Sequence, residues 1–134
     1  MPVTMVRSIP PSQRLLLTMS GRAIEPSSRT NAAVFYALLG PSSYRCPHCS
    51  ASTPLDPREL LVRLWERRLP RHPPELATRF DAQTPAAQGE CYDFRCRGCD
   101  LPARLVISDG QQASATALPR LDVSAVLELY TAPA

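Results

Sequence analysis

The chain has 134 residues and a hydrophobic content of 44%, which suits one globular domain with a modest core. Fifteen basic residues, all arginine, against twelve acidic ones leave a formal charge of +3, milder than a dedicated DNA-binding domain of this size carries, so charge permits a nucleic-acid partner without requiring one. No run of about 18 apolar residues is present, so no membrane span is expected, and the N-terminus lacks the continuous apolar stretch of a secretory signal.

Fifteen prolines punctuate the chain into ordered elements joined by stiff loops. Residues 1–11 carry little pattern and end in Pro10 and Pro11, so a flexible N-terminal arm is expected there, with residues 12–134 forming a single domain. The run Leu15, Leu16, Leu17 reads equally as a buried strand or the start of a short helix. Residues 30–40 read as a helix: Thr30 or Asn31 caps it, good helix formers fill it, and Gly40 with Pro41 stops it.

A helical insertion is expected over about residues 54–82. Its clearest part is residues 57–69, with Asp56 as cap, Pro57 at the first position, Glu59 completing a capping box and Pro70 as stop. Leu60, Leu61, Leu64 and Trp65 recur at helical spacing, so Trp65 is read as core. Arg58, Arg63, Arg67 and Arg68 project elsewhere. A second short helix is expected over residues 74–80.

Strand character returns at residues 91–96, where Tyr92, Phe94 and Cys96 alternate with Asp93 and Arg95. Residues 103–108 form a further strand, Asp109 and Gly110 signal a tight turn, and residues 111–117 are expected to pair back as a hairpin. A last helix is expected over residues 122–130, capped by Asp122, with Val123, Val126, Leu127 and Tyr130 as its apolar face. The order of elements reads as a small α+β domain.

The chemistry of the chain is concentrated in two segments that nearly copy each other. Tyr44, Arg45, Cys46, Pro47, His48, Cys49 and Phe94, Arg95, Cys96, Arg97, Gly98, Cys99 both read aromatic, Arg, Cys, two residues, Cys. The two-residue gap bends the backbone so that both sulfurs of a pair point to one spot, and four thiolates from two such knuckles satisfy a tetrahedral zinc ion. The expected ligands are therefore Cys46, Cys49, Cys96 and Cys99, with zinc as the cofactor. Each aromatic residue shares a strand face with the first cysteine of its pair and can shield the site from water. Residues 50–95 separate the knuckles, a long interval, but loop-closure entropy grows slowly with length.

These motifs, with the following strand at Leu105, Val106 and Ile107, resemble the broad zinc-ribbon group. The resemblance covers residues 44–50 and 91–108. It implies a ribbon-like metal site, here interrupted by the helical insertion, and it names no subfamily. Many such knuckles place glycine after the second cysteine, where this chain has Ser50 and Asp100.

Other uses of the thiols are weighed against this. Cys46, Pro47, His48 and Cys49 match the active-site tetrapeptide of thiol oxidases of the thioredoxin group, but Pro54 follows closely and a second pair awaits. Rubredoxin-like iron binding uses the same ligands. Cys91, five residues before Cys96, faces the other side of a continuous strand and is read as a small buried residue. His48 is expected on the turn surface, and His72 has no suitable partner nearby in sequence.

No catalytic set is assembled, and a metal held at four protein corners has no open position for substrate, so the chain is expected not to be an enzyme. Paired cysteines without an export signal suit a reducing cytoplasm. The expected role is a protein-binding module of the adaptor, inhibitor or immunity type. The alternative is nucleic-acid binding, perhaps of a transcriptional regulator, through the face bearing Arg63, Arg67 and Arg68 and the group Arg95, Arg97 and Arg104.

Overall fold

The structure is a computed structural model, and it describes residues 3–17, 23–24, 36–38, 41–84, 89–109 and 121–132. Nine strands and two α-helices lie in this part. They run β1 (Val3–Ile9), β2 (Leu15–Leu17), β3 (Ala23–Ile24), β4 (Tyr36–Leu38), β5 (Ser42–Arg45), β6 (Ser52–Leu55), α1 (Pro57–Trp65), α2 (Pro74–Asp81), β7 (Glu90–Arg95), β8 (Pro102–Asp109) and β9 (Leu121–Ala132). The α+β class expected from the sequence is the class observed.

The large sheet has the order β3-β4-β9-β8-β7, and β1 also pairs with β9. Strand β9 is its spine. Its first residues pair with β4, its later ones with β1, and β8 lies along its other side, every pairing antiparallel. This segment was expected to be a helix. Its apolar positions do fit a helical period, but they also fit a strand buried on both faces once one irregularity is allowed. The register slips between Val106 and Ile107, which face Ala125 and Val123, so Ser124 is an extra residue on β9. Leu121, Val123 and Val126 then face one core, and Ala125 and Leu127 face the other. A strand with two buried faces reads as a nearly continuous apolar run, and that hides its period of two.

The N-terminal segment corrects the expectation of a flexible arm. Val3–Ile9 pairs along its whole length with residues 126–132. Its β-branched residues suit that pairing, but the partner lies at the far end of the chain and no local signal announces it. Leu15–Leu17 resolves as a strand paired with Ser42–Tyr44. Of the helix expected over residues 30–40, the described part, Tyr36–Leu38, is a strand. The turn at Gly110 and the hairpin arm at 111–117 lie outside the described residues.

Helix α1 begins as the sequence reads, with the Asp56 carboxylate accepting a hydrogen bond from the Arg58 N–H at 3.0 Å. It ends at Trp65 rather than at 69. Arg67 adopts a left-handed conformation (φ 56°), and the Arg68 and Arg67 N–H groups bond back to the carbonyls of Arg63 and Leu64. This is a Schellman cap with arginine where glycine is usual. Leu60 and Leu61 are buried and Leu64 is half-buried against the same core. Trp65 is not core: it is 60% exposed, beside Val62 at 46%. A nine-residue helix lying on a sheet buries a narrow stripe, and Trp65 falls outside it.

The three-stranded sheet β2-β5-β6 and α1 share a core with one face of the large sheet through Leu15, Tyr44, Leu55, Leu61, Leu105 and Val126. On the other face Phe80 of α2 packs with Val106, Ala125 and Leu127. The knuckles are the turns of two hairpins, β5-β6 and β7-β8, brought together at the edge of the first core.

Candidate metal centre

The two knuckles repeat at the level of hydrogen bonds. In the first, the Cys46 N–H donates to the Ala51 carbonyl (2.9 Å) and the Ser50 N–H to the Cys46 carbonyl (3.0 Å); in the second, Cys96 donates to Leu101 (2.9 Å) and Asp100 to Cys96 (2.9 Å). The His48 and Gly98 N–H groups each lie 3.3 Å from the leading sulfur of their own pair. Ser50 and Asp100 both take left-handed backbone angles, φ 65° and 66°. These are the two positions where glycine was the expected residue, and the geometry is kept without it.

The four Sγ atoms of Cys46, Cys49, Cys96 and Cys99 lie within 4.8 Å of one another. Across the knuckles, Cys46 Sγ is 3.6 Å from Cys99 Sγ and Cys49 Sγ is 3.4 Å from Cys96 Sγ. Sulfurs bound to one zinc at about 2.3 Å stand roughly 3.8 Å apart at tetrahedral angles, so these two contacts are slightly short of that spacing and the whole set lies close enough to surround such an ion. The surroundings fit as well. A Cβ on Gly98 would come 2.8 Å from Cys49 Sγ and 2.6 Å from the Ala51 side chain, so the second knuckle closes on the first only because this residue has no side chain.

Crowding sets the thiols against each other. Burial opposes ionisation at Cys96, but N–H groups of Cys99 and Gly98 and the neighbouring sulfurs outweigh it and bring the thiol down to about 6. At Cys99, burial and the three adjacent thiols together push the value up to about 12. Burial likewise raises Cys46. A divalent cation at the centre removes this conflict, because coordination deprotonates a thiol outright.

Aromatic shielding is also in place. Tyr44 is fully buried and meets the half-buried Phe94 edge-on at 5.1 Å, while Phe94 stacks on Tyr92 at 5.4 Å. The knuckles are further linked where the Arg97 N–H donates to Thr53 Oγ1 at 3.0 Å.

The other residues singled out from the sequence fall elsewhere. Cys91 is half-buried on the opposite face of β7, apart from the cluster. His48 is exposed on its turn. Arg63 and Arg68 lie on the outer surface, paired with Glu59 at 3.0 Å and Glu66 at 3.2 Å, and Arg67 is exposed beside them.

Arg104 leaves the arginine group around the second knuckle. Its side chain is fully buried, with Nε 2.5 Å from Asp93 Oδ1, Nη2 3.0 Å from Oδ2 and Nη1 2.6 Å from Asp81. His72 joins the same network. Its N–H donates to Asp93 at 2.8 Å, its Nε2 lies 2.9 Å from the Ala103 carbonyl, and its ring lies 4.9 Å from Phe80. Sequence alternation placed Asp93 on the face opposite Tyr92 and Phe94, which is where it lies. What it lacked was α2, which covers that face.

A second buried carboxylate, Glu128, had no sequence signal, since it sits within an apolar run. It accepts hydrogen bonds from Arg14 Nε (2.6 Å), Arg14 Nη2 (3.2 Å) and the Tyr44 hydroxyl (2.5 Å). The spine strand is thereby tied to β5, two residues before Cys46.

Among the described residues no helix is long and apolar enough to cross a membrane. Comparison with protein-family models, curated proteins and solved structures gives no significant match to this chain.

Proposed function

We propose that this chain is a non-catalytic zinc protein that docks on another protein through the outer face of α1. Zinc is the reading favoured by the donor set, four clustered cysteine sulfurs from two C-x-x-C knuckles supported by backbone N–H groups. With all four corners taken by protein, the ion acts as a staple and leaves no position for a substrate.

The observation that carries the docking role is the exposure of Trp65 (60%) together with Val62 (46%) on one side of α1. The pair Glu59–Arg63 on α1 and the pair Glu66–Arg68 in its C-terminal cap supply a mixed polar rim. An aromatic anchor inside a charge-balanced rim suits a protein surface better than a phosphate backbone. The alternative, nucleic-acid binding, loses support because Arg104 is internal and Arg63 and Arg68 already face carboxylates.

Two measurements test this. Metal analysis of the purified chain should give one zinc per molecule. A protein partner captured at moderate salt should be lost with Trp65→Ala and with Val62→Ser, in variants that keep their zinc. Tight DNA or RNA binding near physiological salt, abolished by replacing Arg63, Arg67 and Arg68 with Ala in a folded variant, would overturn the reading.

A further inference from the structure

A cavity of about 390 Å³ opens beside the cysteine cluster, where the first knuckle turn, the exit of the second knuckle, β1 and the end of β9 meet. That volume is within the range of small-ligand pockets. Pro47, Leu101, Pro102 and Leu129 give it apolar walls, and Arg7 and Tyr130 complete one side.

Arg7 is held in an unusual electrostatic position. Its guanidinium lies over the Tyr130 ring, 4.2 Å from the centroid. Its Nε is buried with no hydrogen-bond partner among the described residues, and lies 3.4 Å from Glu128 Oε1. That carboxylate already accepts from Arg14 and Tyr44. Two guanidiniums therefore share one carboxylate, and the Arg7 guanidinium is the cation that lines the cavity. The other acidic group there, Asp100, is 78% exposed and lies 3.5 Å from Arg95. The thiolate cluster stays negative even with a divalent ion bound, so an anion enters only where a guanidinium draws it.

We infer that this cavity binds a carboxylate carried on a short aliphatic group, the carboxylate meeting the planar fork of Arg7 and the aliphatic part resting on Leu101, Leu129 and Pro47. Such a group is found on a small free acid or on the last residue of another chain. The site is separate from the face of α1, and its failure would leave the docking role untouched.

The test is an NMR titration of the zinc-loaded full chain with N-acetyl-leucine and, separately, with its neutral amide. The acid should bind in roughly the millimolar range expected of so small a ligand and shift the amide signals of Arg7, His48, Leu101 and Tyr130. The neutral amide, and the acid against Arg7→Gln, should each bind about tenfold more weakly or worse, the scale of a lost charge-assisted pair. Should Arg7→Gln not fold, the acid-against-amide comparison on the unaltered chain decides alone. A pentapeptide ending in leucine that binds more tightly than N-acetyl-leucine identifies a chain terminus as the ligand; equal or weaker binding identifies a free acid. Equal response to acid and amide, or shifts confined to Arg45, Arg95 and Arg97, would overturn the assignment, as would no response to either.

Discussion

At the residue scale, the thiols and the buried charges make separable predictions. Cys96→Ala should abolish metal binding, while Cys91→Ala, half-buried and outside the cluster, should leave one zinc per chain; loss of zinc in the second variant would refute the ligand set. Arg104→Met leaves Asp93 buried without its guanidinium and should cost about 3–5 kcal/mol, part of it restored when Asp93→Asn is added, which removes the charge and keeps an acceptor for the His72 N–H. Denaturant unfolding of the single and double variants measures this. His72 supplies a pH signature. Burial lowers its value below the ordinary histidine range, with the nearby Asp93 charge only partly opposing. The unfolded chain therefore takes up a proton first as pH falls. The stability that depends on neutral His72 is complete above about pH 7 and is lost as pH drops through about 6.5 toward the lower folded value. The gap in unfolding free energy between the wild type and His72→Gln should narrow from pH 7.5 to pH 5.5; a constant gap would rule this out.

At the element scale, α1 divides sharply between its two sides. Leu61→Ala should destabilise by about 2–5 kcal/mol, because Leu61 is buried in the core shared with Tyr44 and Leu105. Trp65→Ala, at a largely exposed position, should cost less stability than Leu61→Ala, about 1 kcal/mol or less, so a binding defect in a variant shown to be folded and zinc-loaded reports on a partner. The cap of α1 offers a further check. Arg67 holds a left-handed angle that an L side chain adopts at a cost, so Arg67→Gly should raise stability by about 1 kcal/mol in thermal or chemical unfolding. A destabilised Arg67→Gly would mean that the arginine side chain contributes more than the backbone strain removes.

At the scale of the whole molecule, the cysteine cluster and the spine strand act on different parts. The cysteines join two hairpin turns, whereas β8 and β9 run through both cores and β1 closes the far side. Chelation should therefore loosen the β5-β6 hairpin and the knuckles first. In hydrogen exchange, the amides of Tyr44 and Thr53 should lose protection before those of Val106 and Leu127. Simultaneous loss of all four would show that the large sheet too depends on the ion.

What the sequence determined by itself was local chemistry. Each cysteine knuckle, the capped start of α1, the helix at Pro74 and the strands on either side of the second knuckle are encoded by residues within a few positions of one another. Spacing or capping suffices to read them. Tertiary structure decided everything that depended on a distant partner. Val3–Ile9 became a strand because residues 126–132 run beside it, and residues 122–130 became a strand because both of its faces are covered. Arg104 and Asp93 left the surface because α2 lies over their side of the sheet, and Trp65 left the core because the buried stripe of α1 is narrower than its apolar pattern. Periodicity records that a residue is apolar or charged. Which face is covered depends on the packing of elements far apart in the chain, and a single sequence carries no local trace of that.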